Sequence, residues 1–406
     1  MTAVSFSIDI PDAKLQQLQA KLKLATLPDE LDDAGWDYGA PLSDIKRLVN
    51  HWKSGYSWRD AEADLNAKFP QFTTDIDVEG FGSLNIHFVH KKSERVDAIP
   101  LLFLHGWPGC FLEVSKILPL LTAPASEHEP AFHVVAPSLP GYGFSQGPGK
   151  KGFALDKFAE TFNKLMLSLG YDEYATQGGD WGSFISRRMA LLYGPKHVKA
   201  WHVNLPQATF PSPLSSPFHF LSQFVYLLNP KEIKGLIRSH HYLEEGSGYF
   251  KQQATRPDTL GYGLEDSPVG LLAWIYEKLV EWTDGYTWTD DEVLTWISIY
   301  WFSRAGSTAA SRIYYEAVKA DDIRAGPGVP LPRPSAPNGV SIFPKDVYRM
   351  LTPWVKAHAN VVFMAEHRKG GHFAAWEVPE VLVGDLRKMF GRGGAAFGVV
   401  GGRNGF

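Results

Sequence analysis

Gly178-Gly179-Asp180-Trp181-Gly182 follows a strand candidate at residues 174–177 and opens a helical pattern that continues to about Leu192. The pentapeptide has the Gly-x-nucleophile-x-Gly form of a strand-to-helix elbow, with aspartate at its centre. Flanking Cβ atoms would clash in so tight a turn, and the turn lifts the central side chain into the open. The helix N-terminus beside it favours the ionised carboxylate. Read alone, the same residues also describe a Gly-rich turn in which Asp180 merely caps a helix. The surrounding sequence decides between the two.

On either side the chain repeats strand, loop and helix. Ile99–Leu104 is a short apolar run ending at His105-Gly106-Trp107-Pro108-Gly109, and residues 132–136 form another, ending at Pro137-Ser138-Leu139-Pro140-Gly141-Tyr142-Gly143. Phe158, Phe162, Leu165 and Leu169 mark a helix face, and Val198–Val203 reads as a further strand. Continuous apolar strands alternating with amphipathic helices predict a mostly parallel sheet covered on both faces. The loops at the carboxyl ends of such strands are where ligands bind. From about Pro206 to Pro334 the rhythm stops, and helical segments at 271–282 and 292–301 predict a helical cap closed by a Pro-rich linker at 327–337. The rhythm resumes at 339–343 and 361–365.

Before the core, Ile45, Leu48, Val49 and Trp52 recur at helical spacing behind Ser43 as N-cap. Leu84, Ile86 and Phe88 alternate as in a strand after a turn at Gly80 and Gly82. This lead-in reads as a segment that wraps a core and carries no chemistry. The expected division is 1–92 for the lead-in, 93–205 and 335–392 for the core, 206–334 for the cap and 393–406 for a flexible Gly-rich tail.

An aspartate nucleophile narrows the reaction. Its carboxylate attacks saturated carbon and forms an alkyl ester, which water then cleaves with the help of a held base. Epoxides and alkyl halides are suitable substrates. His372, in Lys369-Gly370-Gly371-His372-Phe373 after the last strand, is the candidate base, and His367 near the strand end competes with it. Asp346, in Phe343-Pro344-Lys345-Asp346, is the candidate acid that fixes the imidazole tautomer, with Glu366 in reserve. The order Asp180, Asp346, His372 is that of α/β-hydrolases. The backbone N–H groups of Trp107 and Trp181 are the candidate oxyanion donors. Opening an epoxide also needs an acid for the leaving alkoxide, which a neutral tyrosine hydroxyl supplies. The cap holds many tyrosines, and number alone does not choose among them.

Composition excludes several classes. In 406 residues, 44% are apolar and 21% charged, and the formal net charge of −4 leaves no basic face for nucleic acid. A single cysteine, Cys110, allows no intrachain disulfide and reads as a small buried thiol. Residues 1–10 have neither a basic start nor a long apolar run, and no stretch reaches the roughly 18 apolar residues that span a bilayer. A soluble, cytoplasmic protein is expected.

Together these segments resemble the microsomal-type epoxide hydrolases over nearly the whole chain. The resemblance rests on Trp36-Asp37-Tyr38-Gly39, His51-Trp52, the loops at 105–109 and 137–145, the elbow, and Gly370-Gly371-His372-Phe373-Ala374-Ala375. Gly248-Tyr249-Phe250 followed by Gln253-Ala254-Thr255-Arg256-Pro257-Asp258 is the most family-specific piece. The resemblance implies an α/β-hydrolase fold with a helical cap and an N-terminal wrapping segment. It implies Asp180 as nucleophile, His372 as base, Asp346 as relay acid, and Tyr249 and Tyr314 as the cap tyrosines that polarise the epoxide. Tyr315 adjoins Tyr314, and spacing from Arg312 and Glu316 favours Tyr314. The implied partners are a small epoxide and water, without cofactor, metal or membrane anchor, and with a homodimer as the implied assembly. A haloalkane dehalogenase would share the nucleophile and base but needs Trp or Asn side-chain N–H donors around a halide. A serine esterase is disfavoured by Asp180, and a non-catalytic binding relative by the complete set of groups. Aromatic residues such as Phe218, Phe220 and Trp282 suggest a hydrophobic substrate.

Overall fold

The computed structural model describes residues 3–323 and 331–406. Nine strands form one sheet: β1 Val4–Ser5, β2 Gln71–Val78, β3 Gly82–Lys91, β4 Ile99–Leu104, β5 Phe132–Pro137, β6 Tyr174–Gly178, β7 Val198–Val203, β8 Pro337–Ile342 and β9 Asn360–Glu366. Their order is β1-β2-β3-β5-β4-β6-β7-β8-β9. The first three strands pair antiparallel, β3 joins β5 antiparallel, and the remaining pairs are parallel. Every residue of β4, β5 and β6 is buried, and β4 accordingly reads as an unbroken apolar run. Helices Leu155–Ser168 and Trp181–Tyr193 pack on each other and on the sheet, and Ile117–Thr122 forms a second pair with Pro379–Phe390.

Between β7 and β8 lies the cap, whose helices include Pro217–Tyr226, Pro230–His241, Gly248–Thr255, Pro268–Glu281, Asp290–Trp301 and Arg312–Lys319. The expected linker at 327–337 falls partly on residues 324–330, outside the described residues; Pro337 begins β8.

The lead-in straps the cap. Helix Leu42–Ser54 buries Ile45, Leu48, Val49 and Trp52. Its polar side chains reach cap helices: the Tyr276 hydroxyl donates to Asp44 Oδ2 at 3.1 Å, and His51 Nε2 lies 2.7 Å from Asp291. Exposed polar contacts of this kind contribute at most about 1 kcal/mol each, so the buried apolar face supplies most of the attachment. Ser43 is not the cap residue. Pro41 is, and its carbonyl accepts the N–H groups of Asp44 and Ile45, because proline's fixed φ already suits a helix start.

Two other expectations change. The Gly-rich end is not a loose tail: Ala396 and Val400 are buried, and the Gly405 carbonyl accepts the Ala131 N–H at 2.8 Å while its N–H donates to Asp97. Its glycines serve turns in which the backbone lies against the sheet end. Phe218 is 76% exposed and Phe220 packs on Phe210 and Phe224, so these two do not line a site, whereas Trp282 is buried.

Candidate active site

The elbow joins β6 to helix Trp181–Tyr193, and Asp180 sits at the junction with φ 47° and ψ −130°. A non-glycine residue held there costs on the order of 1–3 kcal/mol, which the packing around it must offset. The packing explains the glycines. A Cβ on Gly178 would strike the Gly182 carbonyl, and one on Gly182 would strike the Leu104 carbonyl at the end of β4. Gly179 has more room, meeting only Asn204 at 3.1 Å.

The two oxygens of Asp180 face different groups. Oδ1 accepts the Trp107 backbone N–H at 2.7 Å, and Oδ2 lies 3.3 Å from His372 Nε2. Gly106 lets the loop come this close, since a Cβ there would overlap the carboxylate. The Trp107-Pro108 peptide is cis. His105 braces the same loop from beneath: its Nδ1 meets the Gly106 carbonyl at 3.0 Å and its Nε2 accepts the Leu139 N–H at 3.3 Å. Burial pushes this imidazole down to about 4, so it is neutral. Trp181 begins the helix beside Asp180.

On its other edge, His372 Nδ1 lies 2.7 Å from Asp346 Oδ1, which also accepts the Val347 N–H at 2.8 Å. The acid and histidine loops are zipped by backbone, with the Lys345 N–H donating to the Gly370 carbonyl at 3.1 Å. Both side chains are buried. Burial alone would lower the imidazole, but the charges of Asp346 and Asp180 outweigh it and carry His372 up to about 10. The competing candidates are engaged elsewhere. His367 meets Asp385 at 2.5 Å, and Glu366 pairs with Arg349 at 3.0 Å.

Above the carboxylate stand aromatic side chains from the cap. Tyr249 stacks on Trp107 at 5.1 Å, and Tyr314 meets Trp181 edge-on at 4.8 Å and Tyr249 at 5.9 Å. Trp282 packs against Tyr249 and His372. Burial, with the Asp180 charge adding to it, keeps both tyrosines far above their ordinary value, so their hydroxyls are protonated. The Trp181 indole is the polar neighbour of the Tyr314 hydroxyl, which donates to no acceptor among the described residues. Tyr315 faces away, beneath the Lys319 ammonium.

Two participants escape a sequence reading. The Tyr242 hydroxyl lies 2.7 Å from that of Tyr249, a contact made across a π-turn at Tyr242–Gly246 that has no composition signal. Glu113 is buried under the 105–109 loop, so close to Gly109 that a Cβ on that glycine would strike it. Burial is the main cause that pushes its carboxyl up to about 8, with His372 opposing and Asp180 adding. Its place four residues after the end of the 105–109 loop was the available hint.

The family described as "Epoxide hydrolase N terminus" matches residues 3–114, and the one described as "alpha/beta hydrolase fold" matches 99–237. Epoxide hydrolase 1 of Sus scrofa is 36% identical over 414 residues, covering 95% of this chain and 88% of that protein. The Aspergillus niger epoxide hydrolase structure superposes with a TM-score of 0.81 at 35% identity, covering 95% of each chain. That of juvenile hormone epoxide hydrolase from Bombyx mori gives 0.83 at 31% identity, covering 95% of this chain and 93% of that one. Among the described residues, no helix is long and apolar enough to cross a membrane.

Proposed function

The chain belongs to the epoxide hydrolase family, with the α/β-hydrolase fold, and we propose that it turns hydrophobic epoxides into vicinal diols through an ester on Asp180. One observation carries the reading: the two Asp180 oxygens have separate neighbours, a backbone donor on Oδ1 and an imidazole beside Oδ2.

In the first step Oδ2 attacks a ring carbon. The carbon–oxygen bond of the ring breaks, and the oxygen takes a proton from Tyr249 or Tyr314. The Tyr242–Tyr249 hydrogen bond leaves Tyr249 a proton to offer when Tyr242 is the donor. Ester formation removes the charge of Asp180, one of the two charges that hold the His372 imidazolium. With that charge gone the imidazolium gives its proton to the tyrosinate, and the neutral imidazole is free to take one from water. In the second step that water attacks Asp180 Cγ, and the oxyanion forms on Oδ1 against the N–H groups of Trp107 and Trp181. Collapse breaks the ester bond; the leaving alkoxide takes the remaining proton of the attacking water, which releases the diol with Asp180 ionised and His372 again an imidazolium. Asp346 fixes the imidazole throughout.

In this reading residues 93–205 and 335–392 carry the nucleophile, acid and base, 206–334 is the cap that carries the tyrosines, and 1–92 straps the cap. Trp107, Trp282 and Phe250 form aromatic walls that suit aryl or alkyl epoxides. A homodimer in the cytoplasm completes the proposal. Large apolar side chains exposed on two cap helices, including Phe218, Leu221, Val225 and Ile237, support the dimer, and the buried free Cys110 supports a reducing compartment. Sedimentation at micromolar concentration tests the assembly.

A single turnover of styrene oxide in heavy-oxygen water tests the chemistry. The label is expected in the Asp180 peptide and not in the first diol; label in that diol sinks the ester route. The buried Trp181 indole, whose N–H has the Tyr314 hydroxyl as its polar neighbour, leaves dehalogenation as a second reading. Chloride release from a haloalkane at a rate matching diol formation would support it.

A further inference from the structure

The loop that carries His372 is tied to the cap as well as to the core. Two direct hydrogen bonds, and two more relayed through Glu377, join it to residues 282–284, just beyond cap helix Pro268–Glu281. The His372 N–H donates to the Trp282 carbonyl at 2.8 Å, and the Gly370 N–H donates to Asp284 Oδ2 at 3.0 Å. Glu377 bridges the two sides, accepting the Gly371 N–H on Oε1 at 3.1 Å and the Asp284 N–H on Oε2 at 2.7 Å. Each acceptor oxygen thus has a separate donor, one on the histidine loop and one on the cap.

Close packing reinforces the join. A Cβ on Gly371 would strike the Trp282 carbonyl and come within 2.9 Å of Glu377 Oε1. Trp282 meanwhile packs its ring on the imidazole at 5.0 Å. The acid loop is gripped likewise, with Arg238 of the cap donating to the carbonyls of Asp346 and Lys345 at 2.9 and 2.7 Å.

We propose that Glu377 and Asp284 are positioning residues that pin the His372 loop to the cap, so that the base is aimed at its water only while the cap is seated. Neither touches the reacting atoms. The proposal rests on His372 acting as the base of the second step, which makes its effect specific to that step. A loosened pin leaves Asp180, Trp107 and the tyrosines in place and disturbs only the imidazole. Displacing a catalytic group by about 1 Å costs up to about 100-fold in rate.

The test measures both half-reactions by rapid mixing in Glu377→Ala, Glu377→Gln and Gly371→Ala, with Glu377→Asp as the conservative variant. Ester formation is expected to stay within about 2-fold and ester hydrolysis to fall about 10- to 100-fold. When hydrolysis limits turnover, kcat and KM then drop together and kcat/KM is unchanged. Glu377→Asp should recover part of the hydrolysis rate. Adding Glu377→Ala to His372→Gln should slow hydrolysis no further, because the pin acts through the imidazole. Unchanged hydrolysis in all three pin variants, or equal loss in both half-reactions, overturns the proposal. The base assignment fails separately: His372→Gln would then accumulate no ester, whatever the pin variants do.

Discussion

His372 Nε2 lies 3.3 Å from Asp180 Oδ2, with Asp346 at its back. The imidazole therefore sits between two carboxylates, and it can serve as a base only after one of them has lost its charge. Esterification of Asp180 is that event.

Replacing the ring isolates the first step. His372→Gln should form the ester at nearly the parent rate and hydrolyse it about 10²- to 10⁴-fold more slowly. Intact-mass measurement after mixing with styrene oxide should reveal the added mass on the Asp180 peptide. Absence of that mass would rule out the covalent route.

The tyrosines act in the opposite half. Tyr249→Phe and Tyr314→Phe should each lower ester formation by about 10²-fold, and the double change should nearly abolish it. Tyr242→Phe removes only the hydrogen bond that orients Tyr249. A smaller loss, about 5- to 10-fold, is expected in the same step. An unaltered burst in the double variant would remove both tyrosines from the mechanism.

Glycines around the carboxylate separate chemistry from folding. Gly106→Ala places a Cβ against Asp180 Oδ1 and should cut ester formation by at least about 10²-fold. Gly182→Ala forces a Cβ into the Leu104 carbonyl and should destabilise the fold by several kcal/mol. Gly179→Ala meets only Asn204 at 3.1 Å and should be tolerated. Melting curves beside burst kinetics check all three, and equal effects at positions 179 and 182 would contradict the packing account.

Glu113 gives stability a pH dependence. Its carboxyl titrates near 8 in the fold against 4.5 when free. Below pH 4.5 both states are protonated and the fold bears no penalty. As pH rises toward 8 the unfolded chain releases the proton and the folded one retains it, so stability falls by up to about 1.4 kcal/mol per pH unit. Glu113→Gln lacks this loss. Its melting temperature should gain on the parent protein across that window, and a gap that stays constant with pH would show that Glu113 is not buried as a neutral acid.

Much of the core was legible because its residues report local physics. Strand β4 matches its apolar run residue for residue, since a strand buried on both faces has no polar position to blur its ends, and β7 has its expected bounds although Lys199 and His202 interrupt its apolar pattern. The helix of Ile45, Leu48, Val49 and Trp52 was legible from its spacing, yet its start was misplaced by choosing a serine over Pro41. The loose-tail reading of residues 393–406 failed because glycine content reports the turns a backbone can make and says nothing of what it packs against. Phe218 misled in the same way: hydrophobicity does not reveal whether a side chain faces the site or the solvent.

By itself the sequence determined the alternation of strands and helices, the elbow at Asp180 and the chain order of acid and histidine, because periodicity and glycine sterics act over a few residues. Only the tertiary structure decided that Trp107 donates to one oxygen of Asp180, that Tyr242 backs Tyr249, and that Glu377 ties the histidine loop to the cap. Those contacts join residues from separate turns and loops, and their geometry exists only once the sheet and cap have packed.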